Sequence, residues 1–404
     1  MDSRFVYMDY NATTPLRDEV KSRMVEDFEV YANASSLHEA GRRARDRVEK
    51  ARGKVATLIG AREPQTVLFT SGGSESNNTV FNTMYDLGRS GPRRKVITSA
   101  IEHPCVMNAA RRLADEGFPV VFLGVDGEGR IDMAQLEREL DPSRSIGGPT
   151  LLVSVMAANN EIGTVQDIVS IARAAKAAGA LVHTDAVQAA GKMPIDVEAW
   201  GLDYLTLSCH KIYGPKGVGA LYVRKGAPID PLIRGGHQEL GVRAGTYNNQ
   251  GIFGFGLAAE LASADLELFA RRLRGLRERL RAGIERSVPD IRVNGHPTEV
   301  LPNTLNVSFP GAEGEAILLS LDLEGIEVST GSACASGSLE PSHVLMATGV
   351  GPELAHGSIR FSLGRLSTED EVDYVLEKLP PIIERLRRIS TVSSSKAVQA
   401  ACRD

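Results

Sequence analysis

With 404 residues, 42% of them hydrophobic and 24% charged, the chain has the makeup of a globular protein too long for one small core, so two or three domains are expected. Its net charge of −5 offers no basic excess for nucleic acid, and no apolar run approaches the roughly 20 residues that a membrane span needs. The four cysteines (Cys105, Cys209, Cys334 and Cys402) form no C-x-x-C pair, and Met1 to Tyr10 has no signal-peptide core, which argues for reduced thiols in a cytoplasmic protein and against a zinc site or disulfide framework.

Phe5 to Asp9 reads as a short strand, and Asn11-Ala12-Thr13-Thr14-Pro15 as a turn into a helix near 17–28. A polar loop over 31–37 carries Asn33. Ala44, Val48, Ala51, Val55 and Leu58 then recur at three- and four-residue steps, the mark of an amphipathic helix that ends at Gly60. From Val67 onward an apolar run, a small-residue turn and a helix repeat. Strands are predicted at 67–70, 96–99, 120–123, 151–156, 180–183, 204–207 and 218–223. Such alternation predicts a mainly parallel, seven-stranded sheet covered by helices on both faces, with ligands at the carboxyl ends of its strands.

Polar residues gather at those ends: Ser74, His103, Asn159, Asp185 and the run Ser208-Cys209-His210-Lys211. One polar strand end means little, because turns are polar anyway, but the coincidence of several points to a site. Ser71-Gly72-Gly73-Ser74, between a strand and a helix, is a candidate phosphate cradle, although glycine turns precede many helices. Neither nucleotide-binding signature, G-x-x-x-x-G-K-[ST] or G-x-G-x-x-G, opens a helix. Lys211 reads either as a solvated lysine or as an amine able to form a Schiff base with an aldehyde cofactor. Asp185 reads either as a helix cap or as the carboxylate that keeps a pyridine nitrogen protonated, with Gln188 three residues on and on the same face. His103 is either a satisfied structural histidine or a ring for stacking and proton transfer.

Beyond Arg224 a glycine-punctuated segment, Gly235 to Thr246, leads to a long helix over 253–284. A strand at 305–309, a helix at 313–323, a strand at 358–362 and a helix at 368–389 follow. They predict a smaller α+β unit ending in a frayed tail. Cys334 lies in a Gly/Ser-flanked loop that gives a nucleophilic thiol access, whereas Cys105 and Cys209 adjoin apolar stretches and read as packing residues. Arg360, in a strand, either binds a carboxylate or makes a structural salt bridge.

The run Ser208-Cys209-His210-Lys211-Ile212-Tyr213-Gly214-Pro215-Lys216-Gly217 resembles the cofactor-lysine motif of NifS/IscS-type cysteine desulfurases, pyridoxal-phosphate enzymes of the class V aminotransferase family with fold type I. The resemblance covers nearly the whole chain. It includes Tyr7 to Pro15, Thr70 to Ser76, Glu102-His103-Pro104, Asn159 to Gly163, Asp185 to Gln188, Arg243 to Thr246, Gly331 to Cys334 and Ser358 to Ser362. Gly235 to Glu239 and Leu301 to Thr304 look closer to the NifS branch. The chain departs from the pattern at Ser74, where threonine is usual, and in lacking an arginine just after Glu239.

The resemblance implies a large domain over 15–260, a small one formed by 1–14 and 261–390 and carrying the catalytic-cysteine loop, and a tail over 391–404. It implies pyridoxal 5'-phosphate held on Lys211, with Asp185 at the pyridine nitrogen, Gln188 at the phenolate oxygen and His103 stacked on the ring and active in catalysis. Gly73, Ser74, Ser208 and His210 would hold the phosphate together with Thr246 from the second subunit of a homodimer. Asn159 and Arg360 would bind the substrate carboxylate or the adjacent cofactor oxygen, with Asn33 assisting. L-cysteine would become L-alanine, its sulfur passing to Cys334 as a persulfide and on to an iron–sulfur scaffold protein of the NifU/IscU type. No metal is implied in the resting enzyme, but Cys334 could transiently ligate an iron–sulfur cluster through its persulfide. Two other readings stand beside this one: a selenocysteine lyase or another class V enzyme without sulfur transfer, and a catalytically silent assembly partner.

Overall fold

The computed structural model describes residues 5–330 and 341–390, so the Cys334 loop and the 391–404 tail lie outside the described residues. The first half alternates as the sequence predicts. Strand β1 (Val6–Tyr7) precedes helices α1 (Asp18–Asp27) and α2 (Glu39–Leu58). Then come β2 (Val67–Thr70), α3 (Gly73–Ser90), β3 (Lys95–Ser99), α4 (Pro104–Asp115), β4 (Val120–Leu123), α5 (Met133–Leu140), β5 (Thr150–Ser154), α6 (Ile168–Ala177), β6 (Leu181–Asp185), β7 (Tyr204–Ser208) and β8 (Gly219–Val223). Strands β2 to β8 form one sheet of seven in the order β2-β8-β7-β6-β5-β3-β4. Only β8 runs antiparallel to its neighbours, so the chain leaves the other six strands on the same side of the sheet.

Both faces of this sheet are buried, which is why its strands read as continuous apolar runs rather than alternating ones. On one face Ile97, Val153 and Leu205 pack with Val55 of α2 and Ile171 of α6. On the other, Val96, Leu152 and Tyr204 pack with Val80 and Met84 of α3 and Val106 of α4. Helix α7 (Asn249–Ser287) joins this layer to the next: Ile252, Phe255 and Leu257 belong to the first core, while Leu273, Leu276, Leu280 and Ile284, at helical spacing, belong to a second.

That second core lies under a four-stranded antiparallel sheet, ordered β12-β13-β10-β9, made of β9 (Arg292–Asn294), β10 (Thr304–Ser308), β12 (Ser329–Thr330) and β13 (Ser358–Ser362). Helices α8 (Gly314–Asp322) and α11 (Glu369–Ile389) cover it. Strand β11 (Ile326–Glu327) pairs with β1 in parallel, and short helices α9 (His343–Ala347) and α10 (Pro352–His356) precede β13. Asp9 continues the N-terminal strand by a bridge to Ser362, so the residues after it are delivered to the carboxyl edge of the large sheet. No helix among the described residues is long and apolar enough to cross a membrane.

Candidate active site

A cavity of about 400 Å³ opens at that carboxyl edge. Gly73 and Ser74 reach its wall from α3, Asp185 and Gln188 from the end of β6, and Ser208, His210 and Lys211 from the end of β7. His103 and Arg360 complete the set that the sequence brings together there. The glycines allow the close approach. A Cβ on Gly219, at the start of β8, would lie 2.6 Å from Gly72 Cα, and one on Gly73 would lie 2.9 Å from Val187 Cγ2. The first turn of α3 is therefore pressed against the sheet with no side-chain cap on its N-terminus, leaving backbone N–H groups for an anion.

Asp185 is buried. Its Oδ1 accepts the Val187 N–H at 2.9 Å and its Oδ2 the Asn77 side-chain amide at 2.7 Å, so it is both the local cap and a wall carboxylate. No lysine, arginine or histidine forms an ion pair with it among the described residues, so a cationic ring nitrogen would suit it. Lys211 Nζ donates to the carbonyls of Asn11 at 2.5 Å and Ala12 at 2.6 Å. His210 Nδ1 lies 3.1 Å from the Thr13 hydroxyl, and burial, aided by Lys211, pushes its ring down to about 4, so it is neutral at neutral pH. His103 caps α4: its Nδ1 accepts the Cys105 backbone N–H at 3.2 Å. A neutral ring that accepts there carries its proton on Nε2. Burial lowers its pKa against the opposing pull of Asp185.

Arg360 makes the structural salt bridge that was one of its two sequence readings. Its guanidinium is buried on the cavity wall, with Nη2 paired to Asp9 at 2.6 Å and Nη1 donating to the Asn160 carbonyl at 3.1 Å. Its Nε is buried without a partner among the described residues.

Two residues expected in this cavity, Asn159 and Asn33, are placed elsewhere, and Thr246, expected to serve a second subunit, does not line it. Asn159 is fully buried behind the wall: its amide donates to the Ile101 carbonyl at 2.9 Å and accepts from the Glu161 and Ile162 N–H groups at 2.8 and 3.0 Å. Its neighbour Asn160 lines the cavity instead. Asn33 is exposed, its side chain accepting the Ser35 N–H, and Thr246 is exposed too; neither lines this cavity. Cys105, read as a packing residue, is on the wall, 3.0 Å from His103 Nδ1, and burial raises its thiol to about 12. Cys209 does pack, fully buried.

Sequence reasoning missed Asn11, Asn77 and Lys192. Asn77 was findable, since it stands four residues after Gly73 and shares its helical face. No group of three or more His, Cys, Asp or Glu residues could hold a metal ion among the described residues.

The sequence matches the model of the Aminotransferase class-V family over residues 6–375. It is 48% identical over 393 residues to Cysteine desulfurase 2 of Trichormus variabilis, covering 97% of this chain and 96% of that one. It is 46% identical over 386 residues to Cysteine desulfurase NifS of Azotobacter vinelandii, covering 95% and 94%. A solved structure titled NifS-like protein superposes with a TM-score of 0.87 at 40% identity, over 95% of this chain and 100% of the other. A second, titled SspA in complex with cysteine, gives a TM-score of 0.77 at 35% identity over 89% and 98%. The chain belongs to the class-V aminotransferase family, with its type I fold. Within that family its place is among the NifS/IscS-type cysteine desulfurases.

Proposed function

We propose that this protein is a cysteine desulfurase: it takes L-cysteine to L-alanine with pyridoxal 5'-phosphate bound in the cavity, and Cys334 accepts the sulfur. The observation that carries this is the meeting, on one cavity wall, of Lys211, Asp185, His103 and the uncapped start of α3. The residues fit the cofactor: a lysine for the aldehyde, a buried carboxylate without a cation for the ring nitrogen, and a glycine-lined helix start for the phosphate. When bound, the cofactor supplies an electron sink for the bond breaking at the amino acid's α-carbon.

Lys211 would hold the cofactor's aldehyde carbon, and its amine would carry the α-proton. Asp185 would set its carboxylate against the cofactor's ring nitrogen and keep that nitrogen protonated. The Nε2–H of His103 offers a proton on the cavity side, and the Arg360 guanidinium is the wall's cation for the substrate carboxylate. The Cys334 thiolate attacks the substrate sulfur; the Cβ–S electron pair goes to carbon, which takes up a proton to leave alanine, and the sulfur remains on Cys334 as a persulfide. Thr246 serves the phosphate of a second subunit in a homodimer, which its exposure supports. An iron–sulfur scaffold protein of the NifU/IscU type is the proposed acceptor. The division into 15–260 and 1–14 with 261–390 belongs to the same proposal, supported by the pairing of β1 with β11. A cytoplasmic setting fits the free thiols of Cys105 and Cys209.

Mass spectrometry after cysteine treatment tests the proposal: one added sulfur is expected on the peptide of Cys334. If Cys334→Ser makes alanine from cysteine as fast as the parent, the sulfur-transfer step is wrong. If borohydride still traps the cofactor on Lys211→Ala, so is the Schiff-base assignment.

A further inference from the structure

The buried amine of Lys192 has no place in that scheme, yet it touches the site from behind. It follows Gln188 by four residues, and hydrogen bonds from Ala190 N to Ala186 O and from Lys192 N to Ala189 O close the turn between them. Gly191, at φ +69°, takes the left-handed conformation that turns the chain there; a Cβ on it would lie 3.0 Å from Ile212 Cγ2. Lys192 Nζ donates to Gln188 Oε1 at 2.7 Å and lies 3.4 Å from Asn11 Oδ1. No carboxylate forms an ion pair with it among the described residues. On the far side of the same amide, Gln188 Nε2 donates to the Asn11 carbonyl at 2.9 Å, the carbonyl that also receives Lys211 Nζ.

The Asn11 carbonyl only accepts, which turns Nε2 toward it, and the Lys192 amine, with N–H donors in either protonation state, meets Oε1, so the Gln188 amide is oriented from both ends. Gln188 lines the cavity, and its second N–H has no partner among the described residues. Burying a lysine without a carboxylate is costly, and an apolar residue of the same length would serve packing better. Burial, with Lys211 and Arg360 nearby, pushes the Lys192 amine well below its ordinary range.

We propose that Lys192 is a positioning residue: by gripping Oε1 it fixes the Gln188 amide so that the free N–H meets the oxygen on the cofactor ring beside Lys211. This rests on Gln188 being a cofactor contact, and the experiment separates the two. The readout is the absorbance-against-pH titration of the bound cofactor in the holoenzyme of the parent, Q188A, K192M and the double variant. A lost N–H donor leaves the ring oxygen's charge to the proton shared with Lys211, so that proton is held more tightly. Q188A should raise the midpoint by about one pH unit, the size expected for one hydrogen bond to a charged oxygen. K192M should raise it in the same direction and add nothing on the Q188A background.

If Q188A shifts the midpoint and K192M does not, or if the two shifts add, Lys192 does not act through Gln188. If neither shifts it, Gln188 is not a cofactor contact and the proposal falls with that assignment. The thermal midpoint of the cofactor-free K192M protein should be no lower than the parent's, because a methionine replaces a buried amine that no carboxylate neutralises; a purely structural lysine would lower it. Should K192M not fold, K192Q takes its place in the same cycle: a shift that vanishes on Q188A supports the proposal, and one that persists overturns it.

Discussion

Glu102, directly before His103, is fully buried, and its Oε1 accepts from the Ser99 hydroxyl and the Met156 N–H at 2.6 and 2.9 Å. Oε2 is buried without a partner among the described residues, so an ionised carboxyl would leave charge there unmet. Burial, with Asp185 adding to it, raises this carboxyl to about 8. The folded protein therefore holds the proton more tightly than the unfolded chain does. The stabilisation that this gives is present below the usual carboxylate range and is lost as pH rises towards about 8. Glu102→Gln copies the protonated form at every pH. Urea unfolding should find the two proteins close near the low end of that window, with the variant gaining up to about 1.4 kcal/mol per pH unit until the carboxyl titrates. A difference that does not change with pH would mean that Glu102 is ionised in the fold. Glu161 is its counterpart at the end of β5: burial lifts it to about 7, and it accepts the Ser342 hydroxyl at 2.5 Å. Two strand ends of the site thus carry carboxyls that the fold keeps protonated further up the pH scale than solvent would.

At the scale of elements, β2 is an edge strand, and its free backbone groups need cover. The cover comes from the glycine-punctuated segment after β8. Glu239 accepts the Phe69 N–H at 2.8 Å and binds Arg52 of α2 through two bonds of 2.7 and 2.8 Å, while Arg52 donates to the Val67 carbonyl at 2.6 Å. Glu239 and Leu240 take positive φ of 47° and 58° to reach this position, a strained conformation held by those contacts. Removing one partner of a buried pair strands the other, so Glu239→Ala should lower stability by about 3–5 kcal/mol, read by urea unfolding. Glu239→Gln, which keeps an acceptor for the Phe69 N–H, should lose less. Equal losses would show that the charge rather than the edge bond carries the effect.

At the scale of the whole molecule, what was legible in the sequence was what is local. A strand and the few residues after it predict where Gly73, Asp185, Ser208, His210 and Lys211 end up, because a parallel sheet puts all such ends on one side. Asn159 obeyed that rule and still missed the wall: its short amide closes the turn before Gly163, which has φ +76°, and a turn-forming asparagine before a glycine was there to be read. Asn11 could not be read at all. It reaches the site because β1 pairs with β11, Asp9 bridges to Ser362 and the Asn11 N–H finds the Ser362 hydroxyl, 351 residues away, and no spacing in the chain encodes that. The same limit applies to Thr246, which is exposed in the single chain and is proposed to serve a partner's cavity. If it completes the phosphate site of a partner subunit, mixing defective subunits must restore function. Thr246→Ala cannot supply the hydroxyl and Lys211→Ala cannot hold the cofactor, so each homodimer should be impaired. A mixed dimer has one cavity with Lys211 of its own and Thr246 from across the interface. Refolding or co-expressing the two variants should therefore give more alanine from cysteine than the two homodimers together, approaching half the parent's activity in the mixed dimer. Activity no greater than the sum of the separate variants would mean that Thr246 does not act across the interface.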